Sequence, residues 1–172
     1  MRFSLIALAL ALIAAPAAAV LPTGAKAPNF VTQGAIGGKP FKLALAEQLR
    51  HGPVVLYFFP KAFTKGCTLE ARAFSEAMPE FKAAGARVIG MSADDLETLK
   101  KFSIEGCRST FPVARADKAV IKAYDVAIPV VGLTNRTSYV IARDGRIVMV
   151  HSEMDWKDHV AKSLAAVKAL KR

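Results

Sequence analysis

The chain has 172 residues, of which 53% are hydrophobic and 22% charged, and a formal net charge of +10. That length and balance suit one globular domain with a substantial core and leave too little chain for two. The lysines and arginines are dispersed, with no basic run interleaved with aromatics, so the charge reads as a solvated basic surface rather than a nucleic-acid interface. Two cysteines 40 positions apart and three scattered histidines match none of the usual zinc-ligand spacings.

At the N-terminus, Arg2 precedes an almost wholly apolar stretch from Phe3 to Ala15, and Ala17-Ala18-Ala19 offers a small-residue cleavage site. This predicts a secretory signal peptide over residues 1–19, with the mature domain spanning 20–172 and the protein exported to a periplasm or secreted. The run is short for a transmembrane span, so stable membrane insertion after cleavage is not expected; an uncleaved anchor is the alternative. Cleavage after Ala19 removes Arg2 and lowers the net charge from +10 to +9.

Val20 to Pro28 reads as an extended lead-in. Phe30-Val31-Thr32 and Phe41-Lys42-Leu43 form a hairpin whose turn is marked by the glycines from Gly34 to Gly38. A short helix over Ala44 to Leu49 ends at Gly52-Pro53. Val54 to Phe59 is an unbroken run of strand formers, as in a central strand buried on both faces. Beyond the loop from Pro60 to Gly66, Leu69, Ala73, Phe74, Ala77, Met78 and Phe81 recur at helical spacing, with a kink expected at Pro79.

Val88 to Met91 is a second buried strand, and Asp94 or Asp95 caps a helix carrying Leu96, Leu99 and Phe102 that stops at Gly106. Cys107 falls just beyond that helix end. Phe111-Pro112-Val113 is a short extended piece and Lys118 to Tyr124 a short helix. Ser138 to Ile141 and Ile147 to Val150 flank an Asp144-Gly145 turn as a hairpin. Trp156 to Leu170 is an amphipathic closing helix with Val160, Leu164, Val167 and Leu170 on its apolar face. The order predicts an α/β domain of thioredoxin-like fold: a mixed central sheet flanked by helices, with an N-terminal β-hairpin extension. A doubly wound parallel sheet is the alternative, against which the Asp-Gly hairpin argues.

Chemistry concentrates where the buried strand from Val54 runs into the loop that delivers Cys67 to a helix start. A free cysteine is only a few per cent thiolate at neutral pH, and a helix N-terminus with a nearby cation raises that fraction. Gly66 lets the chain approach the sulfur closely, and Thr64 can aim its hydroxyl into the same pocket to hydrogen-bond an oxygen.

Pro60-x-x-x-Thr64-x-x-Cys67 resembles the active-site motif of the peroxiredoxins, and Gly66-Cys67-Thr68 narrows the likeness to the bacterioferritin-comigratory or Q-type branch. The resemblance continues through Val88 to Ser92, Phe111-Pro112 and Arg136-x-x-Tyr139-Val140-Ile141, and so spans essentially the whole mature chain. It implies that Cys67 is the peroxidatic cysteine of a thiol-dependent peroxidase that needs no cofactor or metal. By the same resemblance Thr64 binds the peroxide, Pro60 shields the sulfur, and Arg136 holds the thiolate and the developing charge.

Many Q-type members carry a second cysteine five positions after the first, where this chain has Arg72. Cys107, the only other thiol, is then the expected resolving cysteine. It would form a disulfide that a thioredoxin-like dithiol protein reduces. Arg72, near the first helix turn, is a further candidate to favour the thiolate. A one-cysteine mechanism, a static Cys67–Cys107 disulfide in a redox-inert binding module, and an exported thiol-disulfide oxidoreductase stay open as alternatives. The last lacks a Cys-x-x-Cys motif, since Thr68-Leu69-Glu70 follows Cys67. His51, His151 and His159 read as solvated or packed residues rather than bases. The oligomeric expectation is a monomer.

Overall fold

Val54–Phe58 forms a strand with all five side chains buried in the computed structural model, which describes residues 20–170. The expected signal peptide, residues 1–19, lies outside the described residues. This strand can be apolar at every position because it is covered on both faces and paired on both edges. In chain order the elements are β1 (Val31–Ile36), β2 (Lys39–Ala44), α1 (Leu45–His51), β3 (Val54–Phe58), α2 (Lys65–Ala83) and β4 (Arg87–Ser92). They continue with α3 (Leu96–Glu105), β5 (Val113–Arg115), α4 (Lys118–Ala123), β6 (Thr137–Ile141), β7 (Ile147–Ser152) and α5 (Lys157–Ala169).

Among the described residues the strands form one seven-stranded sheet in the order β2-β1-β5-β4-β3-β6-β7. β3 runs parallel to β4 and antiparallel to β6, so the sheet is mixed, as expected from the Asp144-Gly145 hairpin between β6 and β7. Period-two alternation divides β3 between two cores. Val55 and Tyr57 join Phe74 and Phe81 of α2, Leu99 and Phe102 of α3 and Val167 of α5. Val54, Leu56 and Phe58 join Leu45 and Leu49 of α1 and Val120 and Ile121 of α4. No described helix is long and apolar enough to cross a membrane.

The structure differs from the expected elements in three places. The N-terminal hairpin itself extends the sheet as expected, through antiparallel pairing of β1 with β5. Its turn is Gly37-Gly38 alone, both with positive φ, the backbone that a two-residue turn of this kind needs. Gly34 lies inside β1, where a Cβ would come within 2.9 Å of the Val113 carbonyl oxygen.

In α2 the helix runs on through Pro79 to Ala83, and its buried stripe includes Glu70 while Leu69 is exposed. In α5 the fully buried positions are His159, Ser163 and Val167; Val160 and Leu164 are partly buried and Leu170 is exposed. Both helices are rotated about their axes relative to the purely apolar reading, because each packs a polar side chain that finds partners inside.

Candidate active site

The site assembles where β3 ends. After Phe59, Pro60 opens a loop fixed from two sides: Thr134 Oγ1 donates to the Phe59 carbonyl at 2.7 Å, and the Ala62 N–H donates to an Asp94 carboxylate oxygen at 2.8 Å. Asp94 also accepts from Ser92 Oγ at the end of β4, so it anchors this loop, while Asp95 caps α3 by accepting from the Thr98 N–H at 2.7 Å. The two acids left as alternatives for one cap thus have separate tasks. Phe63 holds a φ of 65°, a left-handed conformation that is uncommon for a bulky residue, and packs edge-on against Phe102 of α3 with ring centroids 5.2 Å apart.

Thr64 is the residue before α2, which places Cys67 third in the helix, inside its first turn. The first-turn N–H groups have no intrahelical acceptor and carry the positive end of the helix dipole. Cys67 is buried, and Arg136, immediately before β6, directs Nη2 at its Sγ over 3.5 Å. The other two guanidinium nitrogens are also engaged: Nε donates to the Met154 carbonyl at 2.9 Å, and Nη1 is in a short ion pair with Glu70 Oε2. Gly66 lies beside this guanidinium, where a Cβ would stand 3.4 Å from Arg136 Nη2, at the edge of ordinary contact.

Of the residues singled out from sequence, Cys67 and Arg136 therefore meet directly, and Thr64 and Pro60 belong to the loop that ends at them. Thr64 is exposed, and its hydroxyl donates to the Lys61 carbonyl at 2.9 Å rather than capping α2, which leaves the oxygen's lone pairs free to accept. Cys107 is fully buried in the turn after α3, with its N–H donating to the Phe102 carbonyl at 3.1 Å. Burial pushes its thiol well above the ordinary cysteine value. Both cysteines are free thiols. Arg72 is exposed, with no hydrogen bond or ion pair to the site among the described residues.

Sequence reasoning missed Glu70 and the buried position of His159. Burial raises the Glu70 carboxyl to about 8 against the pull of Arg136. Its Oε1 has no hydrogen-bond partner among the described residues and lies 3.8 Å from His159 Nδ1. His159 is packed, as one of the two readings for the histidines held, and its ring is bonded on both sides: Nδ1 with Ser138 Oγ at 2.8 Å and Nε2 with the Glu153 carbonyl at 2.9 Å. A signal for Glu70 was present in the sequence, because an acid three residues after Cys67 and four before Phe74 falls on the core-facing stripe. Tyr57 closes the inner wall by stacking on Phe74 at 4.3 Å. Burial raises its phenol well above the usual value, with Cys107, Glu70 and Cys67 adding to the effect.

This geometry, a buried thiol at a helix start under a guanidinium, is suited to nucleophilic attack that develops negative charge nearby. Residues 23–150 match the family model described as AhpC/TSA. The chain belongs to that family, the peroxiredoxins.

Among its relatives, peroxiredoxin Bcp of Xanthomonas campestris pv. campestris is 31% identical over 123 residues, covering 67% of this chain and 76% of that one. Chloroplastic peroxiredoxin Q of Oryza sativa subsp. japonica is 30% identical over 149 residues, covering 86% of this chain and 67% of that one. In three dimensions the peroxidoxin BcpB from Mycobacterium tuberculosis superimposes with a TM-score of 0.76 at 33% identity, over 87% of this chain and 98% of that one. Peroxiredoxin Q from Xanthomonas campestris does so with a TM-score of 0.70 at 27% identity, over 81% and 91%. The thioredoxin-like fold and the Bcp and Q-type likeness expected from the motif both hold, and the chain is a peroxiredoxin with thiol-dependent peroxidase activity.

Proposed function

We propose that Cys67 is the nucleophile of this peroxidase and that Cys107 resolves its oxidised form. The observation that carries the reading is the 3.5 Å approach of Arg136 Nη2 to a buried sulfur in the first turn of α2. A sulfur lone pair forms the S–O bond as the O–O bond breaks. The leaving oxygen takes a proton and departs as water or an alcohol, and Cys67 is left as a sulfenic acid. Donors already aimed at the site favour the charge as it passes from sulfur to oxygen. Arg136 suits this because its planar fork can address both atoms, Thr64 supplies a hydroxyl at the mouth, and Pro60 covers the sulfur.

Resolution requires the Cys107 sulfur to attack Cys67 Sγ, forming S–S as S–O breaks and the hydroxyl leaves as water. Cys107 has to leave its pocket first, since a disulfide needs the two Cα atoms within about 7 Å and correctly directed. Two features support such an opening. Arg108 and Ser109, directly after Cys107, both hold positive φ values (50° and 57°), which stores strain on the order of 1 kcal/mol each. Phe102, whose carbonyl accepts the Gly106 and Cys107 N–H groups, packs on Phe63 of the active-site loop, so the end of α3 and that loop are mechanically joined.

The remaining parts of the proposal are that hydrogen peroxide, organic hydroperoxides or both are substrates, and that a thioredoxin-like dithiol protein reduces the disulfide by exchange. The enzyme works as a monomer outside the cytoplasm after cleavage near Ala19. N-terminal sequencing of the exported protein and light scattering check those last two points. The deciding experiment is mass spectrometry after one equivalent of hydrogen peroxide. Cys67→Ser is expected to consume none, and Cys107→Ser to be oxidised once and retain a trappable sulfenic acid. Normal turnover of Cys107→Ser with a dithiol protein would eliminate the two-cysteine cycle, and turnover by Cys67→Ser would eliminate the whole reading.

A further inference from the structure

The outward side of α2 carries groups that the peroxidase step does not use. Residues 65, 69, 72 and 76 fall at i, i+4, i+7 and i+11, so they form one stripe, opposite the buried Cys67, Glu70, Ala71 and Phe74. The residues there are Lys65, Leu69, Arg72 and Glu76, and all four are exposed. At the rise of an α-helix the stripe is roughly 16 Å long. Lys65 stands two residues before Cys67 at one end. At the other end Glu76 pairs at 3.3 Å with Arg108, the residue directly after Cys107. The stripe thus runs from the neighbourhood of one cysteine to that of the other.

Charge on this face is one-sided. Residues 61–76 and the turn 106–110 hold four exposed cations, Lys61, Lys65, Arg72 and Arg108, against one exposed acid, Glu76. Lys61, Lys65 and Arg72 have no neutralising side-chain partner among the described residues. Two exposed apolar side chains lie among these charges, Leu69 on the stripe and Phe63 in the loop that enters the helix, at 37% and 45% exposure. Apolar anchors among charged neighbours are the composition of a protein-binding surface. A second copy of this chain would bring like charges together, which opposes association. The complementary occupant is acidic.

Resting on the reading that Cys67 and Cys107 form a disulfide, we propose that this face of α2 docks the reducing dithiol protein, and that the partner presents an acidic surface around its own thiols. Reduction has to reach a bond between two cysteines whose chain neighbours mark the two ends of the stripe. One partner thiolate attacks a sulfur of the Cys67–Cys107 bond, a mixed disulfide forms, and the other cysteine leaves as a thiolate. The partner's second thiol then attacks its own first sulfur, so the partner departs oxidised and the two cysteines take up the two protons its thiols gave. Complementary fields raise encounter rates by about 10- to 1,000-fold and fade as salt screens them.

The test isolates the reductive half of the cycle. The protein is oxidised with one equivalent of hydrogen peroxide, and its reduction is followed by rapid-quench thiol alkylation. Two probes are compared: a thioredoxin of net negative charge, and dithiothreitol, which has no surface to dock. The thioredoxin rate constant, taken relative to that of dithiothreitol, should fall about tenfold between about 0.02 and 0.3 M salt. At low salt it should fall about tenfold in Lys65→Glu/Arg72→Glu as well. Lys118→Glu/Lys122→Glu changes the net charge equally on α4, across the sheet, and should leave the ratio within about twofold. A thioredoxin whose surface acids are replaced by lysine should reverse the preference and reduce Lys65→Glu/Arg72→Glu faster than the wild type.

An unchanged ratio in Lys65→Glu/Arg72→Glu, or an equal loss in Lys118→Glu/Lys122→Glu, would overturn the proposal. So would binding to phosphatidylglycerol vesicles that Lys65→Glu/Arg72→Glu abolishes while its thioredoxin ratio holds, since the face would then be a membrane contact. If one equivalent of peroxide produces no Cys67–Cys107 disulfide, the two-cysteine reading itself is refuted and the docking face falls with it.

Discussion

Replacing Arg136 by lysine keeps a positive charge in the site but removes the geometry that the structure uses. The three guanidinium nitrogens reach in three directions: Nε to the Met154 carbonyl at 2.9 Å, Nη1 to Glu70, and Nη2 to the Cys67 sulfur at 3.5 Å. A single ammonium cannot hold all three, and the buried Glu70 carboxyl is the strongest competitor for it. The sulfur and the leaving oxygen then lose a preorganised donor. Losses of that kind lower rates by about 100- to 1,000-fold, equivalent to roughly 3–4 kcal/mol of transition-state stabilisation. The assay is single-turnover oxidation of Arg136→Lys by hydrogen peroxide in the Cys107→Ser background, followed by Trp156 fluorescence, because that indole lies beside Gly66. Thermal melting run in parallel should show a much smaller change, since the charge facing Glu70 is retained. A rate within about threefold of the parent would refute the claim that the fork, rather than the charge alone, serves the reaction.

Gly66→Ala brings a Cβ to 3.4 Å from Arg136 Nη2, at the edge of ordinary contact, so the same oxidation should stay within about threefold of the parent while helix propensity raises stability by about 0.5–1 kcal/mol. A lower melting temperature would count against that reading. Gly90→Ala places a Cβ 2.9 Å from the Tyr57 phenol and should destabilise by about 1–3 kcal/mol in urea titrations through overpacking.

Stability should also depend on pH in a defined way. Glu70, raised from 4.5 to about 8, contributes stability that is complete below pH 4.5 and lost as the pH rises through 8. His159, lowered from 6.5 to about 4, contributes stability that is complete above pH 6.5 and lost as the pH falls through 4. The two slopes oppose each other between pH 4.5 and 6.5, and from pH 6.5 to 8 only the Glu70 decline remains, at most about 2 kcal/mol. Urea unfolding across that range should reveal the decline in the wild type and its absence in Glu70→Gln.

What the sequence determined by itself is what local interactions decide. The uninterrupted apolar strand at Val54–Phe58, the delivery of Cys67 to the start of a helix, and the Asp144-Gly145 hairpin were all legible, because each depends on periodicity, turn chemistry and capping within a few residues. The motif from Pro60 to Cys67 with Arg136 carried the family. The tertiary structure alone decided that β1 joins β5 and draws the N-terminal hairpin into the sheet, a pairing between residues about eighty apart that no local pattern encodes. It also decided which side of α2 and α5 faces inward. A hydrophobic stripe locates the core by assuming that polar groups face water, and Glu70 and His159 break that assumption by finding Arg136, Ser138 and the Glu153 carbonyl inside. Those partners come from β6, the residue before it and the segment after β7, and only folding brings them to Glu70 of α2 and His159 of α5.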